Sequence, residues 1–276
     1  KRFKTGRKNI IAFIVPDISN NYFANIIDSL ENELRKSGYN LILTNTKESK
    51  ENEIQQLKYL ASGIADGIVL ASAAQDYAEI ESYIPESFPV VLIDRKLKNC
   101  PLDIINVSDA NAITTGMEQL LRKGHTRIGY IGDFPHLSTA KERLQLYLDF
   151  LEKNNMPIVQ NLIKNTNSLS HEAYYLTGEL LKEQCTAIVV GNNIMTADAY
   201  NYLANHRELS SGVQILGYQH KDLSHPFSTR DGIIVLNEKD MGIAAAQQIL
   251  SRIQMPEQPQ REIIICNQYA VSITPQ

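Results

Sequence analysis

The chain has 276 residues, 43% hydrophobic and 21% charged, with a net charge of −4; these values exclude a disordered or fibrous protein and leave room for two domains of ordinary size. A body without an excess of Lys and Arg is not a broad surface for nucleic acid, because phosphate contacts need clustered cations. Three scattered cysteines without a CxxC pair fit reduced thiols better than disulfides or zinc, and no apolar run reaches membrane-span or signal-peptide length, so the expectation is a cytoplasmic protein with no membrane partner.

The opening run "KRFKTGRK" carries Lys1, Arg2, Lys4, Arg7 and Lys8, five of the 27 basic residues, which leaves 22 against 31 acids in the rest. Taken alone, such a run is a solvated tail. A strand, "NIIAFIV", follows, and then a helix whose Phe23, Ile26, Ile27, Leu30 and Leu34 recur at helical spacing. "YNLILTN" is predicted as a strand and "SKENEIQQLKYLASG" as a helix opened by Ser49 and closed near Gly63. The strand "DGIVLAS", a short helix near 76–84 and the strand "FPVVLID" come next. Around "KLKNCPLDIINVSD" the alternation is interrupted by a strand-rich crossover.

Beyond residue 107 the rhythm resumes with a helix from Asp109 to Gly124 and the strand "RIGYIGD". A helix at 138–154, a strand near 161–165 and a helix at 170–184 follow. Then come "TAIVVG", a helix at 194–206, "VQILGY", "GIIVL", a helix at about 238–253 and "REIIIC" as the last clear strand. The segments "KNIIAFIVPD" and "HTRIGYIGDF" match in pattern, each preceding a helix, as if one plan were used twice. Apolar strands alternating with helices predict an α/β protein with parallel sheets covered on both faces. The crossover favours two doubly wound parallel-sheet lobes with a cleft between them over a (β/α)8 barrel.

Ligands of open α/β sheets bind beyond the carboxyl ends of the strands. Here those ends read "PDISNNYF", "LAS", Asp94-Arg95, "GDFPHLST", "GNN" and "GYQH". Their hydroxyls, amides, carboxylates, guanidinium and aromatic rings suit a small polar ligand. GxSxG, HExxH, GxxxxGK[ST] and GxGxxG are all absent and no two histidines stand i, i+4. The expectation is no enzyme, no catalytic residue, no cofactor and no metal.

"KTGRKNIIAFIVPDISNNYF", followed in order by "SGYNLILTNT", "ADGIVLAS", "VVLIDR", "LLRKGHTRIGYIGD", "AIVVGNN" and "VQILGY", resembles the lactose/galactose repressor (LacI/GalR) family of transcriptional regulators. The likeness covers nearly the whole chain. It implies a periplasmic-binding-protein-like core whose effector, a sugar, sugar phosphate or sugar acid, modulates DNA binding. It also implies a homodimer that meets operator DNA through an N-terminal headpiece absent from this sequence. In that reading residues 1–8 are the end of a hinge and linker. Residues 9–107 plus 239–266 form the N-terminal lobe, and 108–238 plus 267–276 the C-terminal lobe. A solute-binding receptor for a transporter or chemoreceptor is the alternative, and an α/β enzyme acting on a sugar or nucleotide a third.

The resemblance further implies effector-binding residues. Arg143 stands at the family's effector-contacting Arg, with Thr139 one turn before it on the same helix face; a surface Arg paired with an acid is the plainer reading. Asp94 stands at a ligand-facing Asp, with capping its loop as the alternative, and Tyr22 and Phe23 match an aromatic pair whose alternative role is in the core. Asn192 fits the family's Asn, while Asn193 and Gln219 stand where the family usually has Asp, and Leu146 where it usually has Gly. With Gln219 and Asn193 in place of acids, the surroundings of Arg143 are expected to be less negative and to accept an acidic or phosphorylated sugar.

Overall fold

A computed structural model describes residues 6–209, 211–221 and 232–271. Its elements run β1 (Ile10–Val15), α1 (Asn21–Lys36), β2 (Asn40–Asn45), α2 (Lys50–Ala61), β3 (Gly67–Leu70), β4 (Val90–Asp94) and β5 (Asp103–Ser108). Then come α3 (Ala110–Arg122), β6 (Ile128–Gly132), α4 (Ser138–Lys153), β7 (Ile163–Asn165), α5 (Ala173–Lys182), β8 (Ala187–Val190) and α6 (Asn193–Asn205). The chain closes with β9 (Gln214–His220), β10 (Gly232–Leu236), α7 (Glu238–Gln254), β11 (Glu262–Cys266) and β12 (Gln268–Val271).

These elements divide between two compact units. The first runs to Val107 and takes back Glu238–Ile265; the second is Ser108–Asn237 with the chain from Cys266 onward. The second and third passages between units therefore fall one residue before the expected positions.

The first unit orders its sheet β11-β5-β4-β3-β1-β2 and the second β12-β10-β9-β8-β6-β7. Each has the 2-1-3-4-5 order of a doubly wound sheet, with β1 and β6 in equivalent places beside the point where strand order reverses. Those are the two segments whose sequences match. The pairings of β1, β3 and β4 and of β6, β8 and β9 are parallel, as expected for an α/β fold, while β10 pairs antiparallel with β12.

Local chemistry fixes the element ends. The side chains of Asn20, Ser49 and Asn192 accept from the backbone N–H groups of Tyr22, Asn52 and Met195, capping α1, α2 and α6; each such cap contributes roughly 1 kcal/mol. Gly63 stops the turn after α2 at φ +100°, a conformation that costs glycine little. In the first unit Ala12, Ile14, Leu57, Leu60, Ile68, Leu70 and Leu92 form one buried cluster. Helices α1 and α7 approach so closely that a methyl group at Gly242 would lie 2.5 Å from the carbonyl oxygen of Ile26.

Two expectations need correction. The short helix near 76–84 is a pair of 3-10 turns, Tyr77–Glu79 and Glu81–Tyr83. Asp76 and Glu79 make a capping box, but Ile80 leaves helical geometry at φ −124° and Pro85 holds Ile84 extended, so no α-helix propagates. Nor is "REIIIC" the last strand: β12 follows, a four-residue strand held by its pairing with β10.

Lys1, Arg2 and Lys4 of the opening run lie outside the described residues. Arg7 donates to the carbonyl of Ile253 in the last turn of α7, and Asp66 accepts from the backbone N–H groups of Lys8, Asn9 and Ile10. The chain is thus anchored at its entry into β1. Among the described residues no helix is long and apolar enough to cross a membrane, and no group of His, Cys, Asp and Glu is arranged to hold a metal ion. The three cysteines are unbridged.

Candidate functional site

In the first unit the expected residues gather at the carboxyl end of β4 and the start of α1. The hydroxyl of Tyr22 donates to Asp94 Oδ1 at 2.8 Å, and the rings of Tyr22 and Phe23 meet edge to face at 5.2 Å. Asp94 has φ +69°, so the chain turns through the left-handed region where Asp is one of few tolerated side chains. Phe23 is 3% exposed and sits in the core, whereas the Tyr22 hydroxyl reaches the carboxylate.

The neighbouring charges are engaged within the fold. Arg95 makes a two-pronged ion pair with Glu48 at 2.7 and 2.8 Å, the fork geometry that suits a carboxylate. Burial raises the pKa of Glu53, against the bonds it accepts from the Ala73 N–H and the Ser72 hydroxyl. The "LAS" strand end is therefore held by a carboxyl group beneath it.

The second unit builds its cluster around Arg143, one turn after Thr139 in α4. Arg143 Nε donates to Asp109 Oδ2 at 2.6 Å and Nη1 to the carbonyl of Gly191 at 2.8 Å. Its guanidinium carbon lies 4.4 Å from the centre of the Tyr218 ring, within cation–π range. Three elements thus fix one planar cation: α3 through Asp109, the end of β8 through Gly191, and β9 through Tyr218. Burial holds the Tyr218 and Tyr130 phenols neutral, their pKa values well above the ordinary tyrosine value.

Arg143 is indeed paired with an acid, but as a largely buried clamp and not as a surface pair. Asp109 places a carboxylate directly against that guanidinium, a negative group beside Arg143 that Gln219 and Asn193 do not supply. Gln219 is buried in β9 next to Tyr218, and successive strand residues point to opposite faces. Its amide therefore lies across the strand from the ring that carries Arg143.

Asn192 is engaged within the second unit. Its Oδ1 caps α6 and its Nδ2 donates to Asp133 Oδ2 at 2.6 Å, so both ends of the amide have protein partners. Asp133 also accepts from the N–H groups of Phe134 and Ser168. Leu146 is half-buried, and α4 runs through it unbroken. The residues missed in the sequence are Asp109 and Asp133. Asp109 reads there as the opening of a helix, and only the fold turns its carboxylate away from the cap, where it makes no capping bond, toward Arg143.

Residues 8–272 match the family of periplasmic binding proteins and sugar-binding domains of the LacI family. The ribose operon repressor of Bacillus subtilis is 26% identical over 263 residues, 93% of this chain and 77% of that protein. A LacI family transcriptional regulator from Enterococcus faecium, solved with bound ribose, is 23% identical and superimposes with a TM-score of 0.82 over 97% of this chain and 99% of its own. A periplasmic binding protein/LacI transcriptional regulator from Alkaliphilus metalliredigens, complexed with D-xylulofuranose, gives a TM-score of 0.81 at 19% identity, over 96% of this chain and 100% of its own. At these identities the two solved structures establish the fold.

Proposed function

We propose that this chain, which belongs to the family of periplasmic binding proteins and sugar-binding domains of the LacI family, takes up a neutral sugar as the effector of a transcriptional regulator. It is a regulatory ligand-binding domain and not an enzyme. The observation that carries the ligand class is the Arg143 clamp: a cation positioned by Asp109, Gly191 and Tyr218 at the carboxyl ends of the strands. A guanidinium balanced by an adjacent carboxylate keeps its directional N–H donors but loses most of its attraction for an anion. Hydroxyl groups are the oxygens such a donor serves best. In the first unit Asp94 is an acceptor suited to the same hydroxyl chemistry, since a carboxylate takes hydrogen bonds from hydroxyls at both oxygens.

In this reading the candidate sugar-binding groups are Asp94 and Tyr22 within the first unit and Arg143 and Thr139 within the second. Binding favours one of the conformations open to the protein, and DNA binding by the complete regulator, a cytoplasmic homodimer, responds to that shift. The coupling is reciprocal, so an effector that releases operator DNA binds the DNA complex more weakly.

Isothermal titration calorimetry with D-ribose, D-xylose, D-ribose 5-phosphate and D-gluconate tests the ligand class. A neutral sugar is expected to bind, and Arg143→Lys, which keeps the charge beside Asp109 but loses the planar fork, is expected to weaken it by about 2 kcal/mol, as for hydrogen bonds to a charged group. Binding of the phosphate or the acid alone would overturn the neutral-sugar reading.

A further inference from the structure

The chain passes between its two units three times, at Val107–Ser108, Asn237–Glu238 and Ile265–Cys266. One residue of the second unit, through its backbone and side chain together, meets all three passages on that unit's side. Asn267, which follows the third passage by one residue, is 3% exposed. Its backbone N–H donates to the carbonyl of Ser108 at 3.1 Å, and its Oδ1 accepts from the N–H of Asn237 at 2.9 Å. Its Nδ2 donates to Asp109 Oδ1 at 2.7 Å. The other oxygen of that carboxylate, Oδ2, holds Arg143 Nε at 2.6 Å.

We infer that Asn267 and Asp109 are positioning residues that tie the Arg143 guanidinium to all three passages, so that the effector and the crossover segments act on one hydrogen-bonded relay. The inference rests on the proposed role of Arg143 in binding the effector. Three features support it beyond proximity. Asp109 opens α3 as its N-cap residue, yet its carboxylate makes no capping bond and serves Asn267 and Arg143 instead. The neutral amide at position 267 accepts from Asn237 on one side and donates to a carboxylate on the other, using both of its ends. Every link is short and its central members are buried, so displacement of a passage is not absorbed by water.

The relay makes Asn267 matter for Arg143 although no bond joins them. Asn267→Ser keeps an oxygen near the Asn237 N–H but is too short to reach Asp109. In the 15N-labelled 276-residue chain, hydrogen exchange at the Arg143 Nε–H, assigned with Arg143→Lys, reads the clamp without any ligand. Asn267→Ser is expected to speed that exchange by about tenfold, as loss of a local closing bond does. Leu162→Val, which trims a core side chain of the same unit, is expected to lower the melting temperature and leave the exchange as it is. Unchanged exchange in Asn267→Ser, or equal acceleration in Leu162→Val, overturns the relay; if Asn267→Ser does not fold, Asn267→Thr is read by the same criteria. D-ribose titration supplies the second arm, with about tenfold weaker binding expected in Asn267→Ser. If D-ribose fails to bind the parent chain, the ligand assignment falls, while the exchange measurement still decides the relay.

Discussion

At Asp94 the backbone holds φ +69° while the carboxylate accepts from the Tyr22 hydroxyl at 2.8 Å, so conformation and chemistry restrict the same residue. Asn also tolerates the left-handed region and its carbonyl oxygen can accept the same bond. Asp94→Asn is therefore expected to cost about 1 kcal/mol of stability. Asp94→Val, β-branched and without an acceptor, is expected to cost about 3 kcal/mol through backbone strain and an unmatched hydroxyl. Urea unfolding of the two variants measures both, and equal losses would show that the backbone angle is not the deciding factor. The sequence marks Asp94 as the residue ending an apolar strand, which is why it was legible. It gives no sign that Asn192 is spent on Asp133 and on the α6 cap, because that depends on where β6 ends relative to β8.

Between elements, the tie joining β5 to α7 illustrates how the first unit holds together parts distant in sequence. Asp103, at 1% exposure, takes bonds from Arg252 Nε and Nη2, from Gln248 Nε2 and from the Arg261 N–H. Burial opposes ionisation of this carboxyl, but the Arg252 and Gln248 bonds outweigh it and its pKa is lowered from 3.8. A lowered folded value means that the stabilisation is present above the unfolded pKa and lost as pH falls through the folded one. Asp103→Asn is accordingly expected to cost about 3 kcal/mol at neutral pH, because it leaves Arg252 without its charge partner. The difference from the parent should stay constant from about pH 5 to 8 and shrink below about pH 4. Chemical denaturation at several pH values checks this, and a difference that persists unchanged in acid would contradict it. Helix periods and strand runs made most such elements readable. The pair of 3-10 turns and β12 were not, because the first is decided by Pro85 and the second by its pairing with β10.

For the molecule as a whole, ligand binding is itself a stability term. A sugar that binds the folded chain only, at a concentration 100 times its dissociation constant, adds about 2.7 kcal/mol. Thermal unfolding with and without the sugar should differ by several degrees, and the difference should shrink to about a third in Arg143→Lys at the same sugar concentration. A shift preserved in that variant would place the binding energy elsewhere.

The repeated strand–helix pattern, the twin segments that became β1 and β6, and the order of motifs along the chain determined the α/β class, the two sheets and the family by themselves. They could do so because covering a parallel sheet demands apolar strands and amphipathic helices, and both leave periodic marks in sequence. What only the tertiary structure decided is which charges meet. Arg143 is paired with Asp109, and Asn267 reaches that same carboxylate from the far end of the chain. Electrostatic pairing depends on a few ångströms of separation between residues far apart in sequence, and no periodicity encodes that distance.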